Sequence, residues 1–279
     1  MTGHGHRTAA HRPVVDGAAG RETVAEGAVR ERTAHEGTAR QVEVHQALVT
    51  PATARHCAGL LDAAEHHRAA RLPAPAAARF TVARGLLRAV LARRLALPPP
   101  RVPLVAHCPG CGAQGHGPVR LAGGVGGATG WTLSIAHSGI LVAVAVGHRA
   151  GAVGVDVETA ERAEDIEALA PRLLGPGHRE RLARLPVQAR RAALLRVWTG
   201  AESYAKATGT GLGRALARVR TAVDAEGRVC VTAPDEPAGW AVRTVPAHAP
   251  GYAAAVTVRH GTRVRTHLSG RLCTGSAAG

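Results

Sequence analysis

Residues 154–158 read Gly-Val-Asp-Val-Glu, a short run in which valines alternate with acidic residues. A period of two is typical of a β-strand, and it predicts that Asp156 and Glu158 lie on one face. Two adjacent carboxylates repel each other, so a bound cation or arginine side chains must compensate them. Such a pair of oxygen ligands suits Mg²⁺, which completes its shell with water and phosphate oxygens. The alternative is a strand end whose acidic groups meet solvent.

A helical pattern follows at residues 198–206, WTGAESYAK. Glu202 and Lys206 are four residues apart, so a helix places both on one face, in the order that favours an ion pair. Lys206 is the one lysine among 35 basic residues. An ammonium is a compact charge that can lose its proton, whereas a guanidinium is a planar fork that stays charged. We therefore predict a site that requires lysine, the alternative being an ordinary surface salt bridge.

On the N-terminal side, alternation predicts two strands, about 131–136 and 140–146, joined by a turn at His137-Ser138-Gly139. Residues 79–95 carry apolar residues at helical spacing, and the proline-rich run after them ends this predicted helix. The chain holds 16 histidines, so a histidine in a turn has no specificity by itself.

The predicted elements repeat one order, because a strand and helices followed by further strands occur twice along the chain. This order predicts an α+β protein with two similar halves, residues 41–149 and 150–260, each an antiparallel sheet packed with helices. Residues 1–40 are polar and lack apolar periodicity, which predicts a disordered extension. Residues 261–279 are also polar, and this composition predicts a loose tail.

Taken together, these segments resemble a known family. The His-Ser-Gly turn, GVDVE at 154–158 and WTGAESYAKATGTGL at 198–212 are similar, in this order, to the signature of 4′-phosphopantetheinyl transferases. Each motif alone is unspecific, whereas their combination is specific, and the resemblance extends over roughly residues 42–258. The length suits the larger monomeric type that acts on carrier proteins of polyketide or peptide synthases. That type implies a pseudo-twofold arrangement of the two halves.

The resemblance implies the reaction of a holo-[acyl-carrier-protein] synthase. The 4′-phosphopantetheine arm of coenzyme A would pass to a serine of an apo acyl or peptidyl carrier protein, with release of adenosine 3′,5′-bisphosphate. The implied Mg²⁺ ligands are Asp156, Glu158 and Glu202, and the implied catalytic residues are Glu202, as the base for the serine hydroxyl, and Lys206, at the diphosphate or leaving group. The implied coenzyme A contacts are His137, Arg79, Arg84 and Lys206.

The sequence departs from the family pattern at three positions. Ala201 stands where the family has a lysine before the glutamate, and Ala136 where a serine often precedes the turn histidine. Gly117 stands where a basic residue precedes the proline of the central loop. These departures leave open an alternative in which the chain binds coenzyme A without catalysing transfer.

The net charge is the most unusual bulk property of the chain. Its 279 residues carry a formal charge of +15, which favours acidic partners. In the implied family that partner is an acidic carrier protein, for which the candidate contacts are Arg172, Arg179, Arg181 and Arg184. A nucleic-acid-binding protein with a Cys/His knuckle is the alternative from another class. Aromatic residues make up 2% of the chain and offer few platforms for base stacking.

The five cysteines and the absence of any apolar run near 20 residues predict a cytoplasmic protein without membrane spans or a disulfide framework. Cys108 and Cys111, with His107 and His116 close in sequence, form half of a zinc pattern. Structural zinc sites normally take four ligands from two such halves. Two thiols in a glycine-rich loop are therefore the favoured interpretation, and zinc is the alternative.

Overall fold

The protein has a mixed α+β fold in which several sheets pack against helices. The computed structural model describes residues 40–108, 110–122, 130–223, 229–232 and 239–269. Its strands are β1 (Gln41–Leu48), β2 (Leu104–His107), β3 (Gln114–Leu121), β4 (Trp131–Ser138), β5 (Leu141–His148), β6 (Gly154–Thr159), β7 (Arg220–Val223), β8 (Val229–Thr232), β9 (Trp240–Val245), β10 (Tyr252–Arg259) and β11 (Arg263–Leu268). Its α-helices are α1 (Pro51–Ala58), α2 (Ala63–Ala70), α3 (Ala74–Leu95), α4 (Ala163–Ala168), α5 (Ala170–Leu173), α6 (Pro176–Ala183), α7 (Val187–Thr208) and α8 (Leu212–Arg218). The predicted extension lies outside the described residues except for Arg40.

Two sheets pack face to face at the centre of the described part. The first has the order β11-β1-β5-β4 and the second β6-β10-β9. In β5, residues Leu141, Ala143 and Ala145 enter the core between the sheets. Val142, Val144 and Val146, which alternate with them, pack against α3 instead. The strand is therefore apolar from Leu141 to Val146, as expected for a strand buried on both faces.

The outer layers are the two longest helices, α3 and α7, with 22 residues each. α3 covers the free face of the first sheet, and α7 packs on the second sheet with α4, α5 and α6 around it. Within the described residues, every helix is too short or too polar to cross a lipid bilayer.

The segment predicted as a loose tail contains a strand. β11 runs parallel to β1 at the edge of the first sheet. The N–H of Arg263 donates to the Arg40 carbonyl (2.8 Å), and the N–H of Ser269 donates to the Gln46 carbonyl (2.8 Å). The sequence Arg-Val-Arg-Thr-His-Leu is polar because this strand lies at an edge, which is why composition suggested a loose segment. Residues 270–279 lie outside the described part.

A buried arginine joins the N-terminal helices. Arg88 of α3 is fully buried and forms ion pairs with Asp62 and Glu65, which begin α2. Its Nη1 also donates to the carbonyls of Pro99 (2.8 Å) and Val102 (3.0 Å). Because both acids also cap α2, one guanidinium links α2, α3 and the loop before β2.

We predict that Arg88→Met lowers the free energy of unfolding by about 3–5 kcal/mol, because it removes the closest cationic partner of the buried Glu65 carboxylate and the side-chain donor to the carbonyls of Pro99 and Val102. Arg93→Met, the same exchange at an exposed position of α3, is the control and should change stability by less than about 0.5 kcal/mol. Urea denaturation of both variants measures the difference. Equal midpoints would contradict this role for Arg88.

Candidate functional site

A glycine brings β6 and α7 into backbone contact. A Cβ atom on Gly154 would overlap the carbonyl oxygen of Ser203 and lie 2.5 Å from the backbone nitrogen of Ala207. Only a residue without a side chain therefore allows the helix this close to the strand. Asp156 and Glu158 follow Gly154 at intervals of two, so their carboxylates share the face of β6 that meets α7.

A buried hydroxyl pair sets the rotation of α7 about its axis. Ser203 donates to the carbonyl of Gly200 (2.8 Å) and shares a hydrogen bond with the hydroxyl of Thr257 in β10 (2.8 Å). Both side chains are fully buried. With Ser203 held against β10, its neighbour Glu202 and the residue one turn later, Lys206, reach the side of the helix that borders β6.

The single lysine binds an aspartate of β6. Lys206 Nζ donates to Asp156 Oδ1 (2.7 Å) and to the carbonyl of Val155 (3.2 Å). Asp156 is 5% exposed, and its second oxygen, Oδ2, is buried without a hydrogen-bond partner in the described part of the chain. The sequence spacing predicted a pair of Lys206 with Glu202 within α7, whereas the structure pairs Lys206 with Asp156 of β6.

The three predicted metal ligands share one electrostatic environment. Burial raises the pKa of Asp156 to about 7; Lys206 opposes this shift, and the charges of Glu202 and Glu158 add to it. Burial also raises the pKa of Glu202, against the opposing effect of Lys206. With Lys206 bound to Asp156, the donor oxygens of the three acids do not all lie within 4.8 Å of one another. Glu158 and Glu202 therefore influence the acidity of Asp156, and Lys206 forms its ion pair with Asp156.

Serine side chains tie the predicted turn to this group. Ser138, the last residue of β4, donates to Glu158 Oε2 (2.6 Å) and accepts from the N–H of Thr159 (3.3 Å). Ser134, on the same face of β4, accepts from the N–H of Val155 (3.0 Å). Sequence reasoning placed Ser138 in the predicted turn but gave neither serine a role. The only signal was their spacing of four residues in a strand, which places them on one face.

A cavity of about 350 Å³ opens beside Glu158. Its lining residues are Arg79, His137, Ser138, Gly139, Thr159, Glu161 and Arg162. Part of the His137 ring reaches solvent, yet partial burial by the cavity walls lowers its pKa, and the charge of Arg79 lowers it further. A neutral imidazole and two guanidiniums in one cavity can hold phosphate oxygens.

The turn after His137 depends on glycine. Gly139 has a positive φ of 51°, and a Cβ there would overlap the hydroxyl of Tyr252. That hydroxyl accepts from the N–H of Ile140 (2.9 Å). The strand β10 thereby fixes the turn that forms one wall of the cavity.

The two predicted arginines have different environments. Arg79 lines the cavity, whereas Arg84, one turn further along α3, does not. Arg84 is 8% exposed, with Nη1 3.4 Å from Glu65 Oε1 and its guanidinium over the ring of Phe80. The structure therefore brings Arg79 to His137 and keeps Arg84 among the N-terminal helices. Arg162, which sequence reasoning did not name, lies in the cavity, 3.7 Å from Glu158.

The departures from the family pattern have structural counterparts. Ala201 is fully buried in α7, and Ala136 is buried in the core between the two sheets. Gly117 has φ +91°, and a Cβ there would lie 2.6 Å from the carbonyl oxygen of His107. At Gly117 the positive φ and the contact with His107 disfavour any side chain, whereas Ala201 and Ala136 occupy buried positions.

The Cys/Gly loop connects β2 and β3. Backbone N–H groups of Cys111 and Gly110 lower the pKa of the Cys108 thiol, as expected for donors directed at a sulfur. The side chain of His116 lies outside the described residues. Zinc at Cys108, Cys111 and His116 therefore stays the alternative to two thiols in a glycine-rich loop.

Comparison with known proteins supports the family resemblance. The family model of the 4′-phosphopantetheinyl transferase superfamily matches residues 152–257. The 4′-phosphopantetheinyl transferase HetI of Nostoc sp. (strain PCC 7120) is 32% identical over 136 residues, which cover 49% of this chain and 54% of HetI. The chain thus spans about half the length of that relative. The family match includes the acidic residues of β6 and α7, whereas the cavity residues Arg79 and His137 lie outside it.

We predict that Gly154→Ala separates α7 from β6, because the added methyl group meets backbone atoms that cannot rotate away. We expect a loss of about 1–3 kcal/mol in the free energy of unfolding. Gly213→Ala in α8, where a Cβ meets nothing within 4 Å, is the matched control and should be neutral or slightly stabilising. Thermal denaturation compares the two. Equal melting temperatures would show that the contact at Gly154 tolerates a side chain.

Proposed function

We propose that this chain transfers the 4′-phosphopantetheine group of coenzyme A to a serine of an acyl or peptidyl carrier protein. The match of residues 152–257 to the family model of the 4′-phosphopantetheinyl transferase superfamily and the similarity to HetI support this proposal. The transfer depends on Mg²⁺ and releases adenosine 3′,5′-bisphosphate. The observation that carries the proposal is the group of three acids around one buried, unpartnered carboxylate oxygen, Asp156 Oδ2, beside a cationic cavity.

The donor set fits magnesium. Asp156, Glu158 and Glu202 offer oxygen ligands alone, which hard divalent cations prefer. Their mutual repulsion and the unsatisfied Asp156 Oδ2 both favour an added positive charge. These three residues would hold the ion, which when bound neutralises charge on the diphosphate of coenzyme A.

Glu202 is the proposed base for the carrier serine. Its raised pKa brings the carboxylate nearer to the working pH, where a general base is most effective. It accepts the serine proton directly or through one water molecule. Glu158 is restrained by the hydroxyl of Ser138, so Ser138 is a positioning residue in this proposal.

Different cationic residues are the proposed contacts for different phosphates of coenzyme A. Arg79, His137 and Arg162 line the cavity and are the proposed contacts for its phosphates. Lys206 stands beside the acids and stabilises the diphosphate and the leaving group, a role in which its compact ammonium suits a crowded position. Arg84 is engaged with Glu65 and is left out of this set.

The proposed carrier surface lies on the helices after β6. Arg172 in α5, Arg179 and Arg181 in α6, and Arg184 just after α6 are all exposed. Clustered exposed arginines attract an acidic partner and speed its association. An acidic carrier protein, in its apo form, is the partner that this charge suits.

The proposal also covers the architecture of the enzyme. We propose a cytoplasmic monomer whose two halves are related by a pseudo-twofold axis. Two features support that relation: α3 and α7 have the same length, and each covers the outer face of one central sheet.

The experiment that tests the function is transfer of a fluorescent coenzyme A arm to purified apo carrier proteins. We expect labelling with Mg²⁺, none with a chelator, and a loss of at least about 100-fold in Glu202→Gln, which keeps the shape and removes the charge. Glu26→Gln, the same exchange at a position before β1 and outside the family match, is the matched control and should retain activity within about twofold of the parent.

Other outcomes have distinct meanings. Labelling that survives in Glu202→Gln would remove Glu202 from the catalytic set. A rise in melting temperature with coenzyme A, without labelling of any carrier, would identify a binding protein that lacks the transfer step. Nucleic-acid binding that ignores Mg²⁺ and persists in Asp156→Asn would favour the alternative class.

We also predict that Mg²⁺ binding weakens as pH falls. The pKa of Asp156 is raised to about 7, and only its ionised form can hold the cation. Below about pH 7 the apparent affinity should therefore fall by about tenfold per pH unit, and above about pH 8 it should level off. Calorimetric titration in two buffers at pH 6 should also detect proton release. An affinity constant from pH 5.5 to 8 would contradict the prediction.

A further inference from the structure

A second group of ligand-type side chains lies away from the cavity, on the face of the first sheet that meets α3. Glu43 and His45 of β1 and His267 of β11 each offer one donor atom, and these atoms all lie within 4.8 Å of one another. Among His, Cys, Asp and Glu in the described ranges, no other group of three meets this distance. The proposed transfer reaction uses none of these residues.

The register of two strands creates this group. His45 and His267 are directly opposite in the parallel pair of β1 and β11. Their rings lie against each other with centroids 4.8 Å apart. Glu43 precedes His45 by two residues and so shares its face of the strand. His267, which is distant in sequence, therefore joins Glu43 and His45 because β11 pairs with β1.

The hydrogen-bond partners of His45 leave room for a cation between its Nε2 and a carboxylate oxygen of Glu43. Its Nδ1 is 2.8 Å from the hydroxyl of Ser269, and its Nε2 is 3.1 Å from Glu43 Oε2. When Nδ1 carries the proton and donates to Ser269, the lone pair of Nε2 faces a carboxylate oxygen. Two acceptors at that distance need a proton or a cation between them. Two ligand atoms bound to one ion at ~2.0–2.1 Å can have this separation.

We propose that Glu43, His45 and His267 form a binding site for a divalent transition metal ion, with Zn²⁺ as the best match. Two imidazole nitrogens and one carboxylate oxygen are ligands that zinc accepts, and water completes a tetrahedral shell. Mg²⁺ prefers oxygen ligands and is not the ion for this site. Ser269 orients the His45 ring from outside the ligand shell.

In the structure, the guanidinium of Arg94 is the cation that pairs with Glu43. Its Nη2 lies 2.5 Å from Glu43 Oε2, and its side chain is 46% exposed. Glu43 and Arg94 both line a cavity of about 430 Å³, into which the guanidinium can withdraw. A metal ion therefore competes with Arg94 for Glu43, and ligation from both strands clamps β11 onto β1.

The test is zinc titration of the full-length, tag-free protein against a colorimetric zinc chelator. We expect one Zn²⁺ equivalent whose affinity falls at least about tenfold in His267→Gln and rises in Arg94→Gln. His267 lies on an edge strand, so this variant is expected to fold. His260→Gln, an exposed histidine in the turn before β11, is the matched control and should bind as the parent does.

Hydrogen exchange of β11 gives a second readout that adventitious binding to other histidines would not move. Zinc should slow exchange of the β11 amides in the parent protein and leave them unchanged in His267→Gln. Equal zinc affinity in the parent and His267→Gln would overturn the proposal. Loss of the equivalent in Cys108→Ser, with His267→Gln unaffected, would also overturn it and assign the metal to the loop between β2 and β3.

Discussion

The contact between β6 and α7 at Gly154 is the constraint on which the candidate site depends. It brings a helix backbone against a strand backbone, and Asp156 is buried beside this contact, whereas Lys206 keeps part of its side chain exposed. Asp156 loses nearly all of its solvent there, and its pKa rises to about 7 as a result. A wider separation would leave the same acids hydrated and ionised, with pKa values close to those of free carboxylic acids. Backbone proximity thus produces the chemistry that the motif residues carry.

The acidic group is stabilised by few cations, which come from different elements. Lys206 neutralises one carboxylate, and Arg162 lies near another. Other arginines of the described residues serve elsewhere, on exposed helices such as α6 or, like Arg88, in structural ion pairs. A compact ammonium fits between strand and helix where a planar guanidinium would need more space. This difference accounts for a lysine in a chain whose other cations are arginine.

Hydroxyl groups link the two central sheets through hydrogen bonds. Ser138 connects the end of β4 to Glu158, and Tyr252 of β10 holds the turn that follows. Glu158 and one wall of the cavity are therefore connected through hydrogen bonds. A displacement of β4 would move the wall of the cavity and the orientation of Glu158 together, which is the basis for treating Ser138 as a positioning residue.

Local periodicity was sufficient for the α+β class, for the shared face of Asp156 and Glu158, and for a helix carrying Glu202 and Lys206, because these features span a few residues. Combined motifs also indicated the family. Only the tertiary packing determined which side chains pair with one another. Lys206 binds Asp156, 50 positions away, Arg84 is held by Glu65, and His45 reaches Ser269 across 224 positions. These contacts depend on strand register and on the rotation of buried helices, which side-chain periodicity within a single element does not encode.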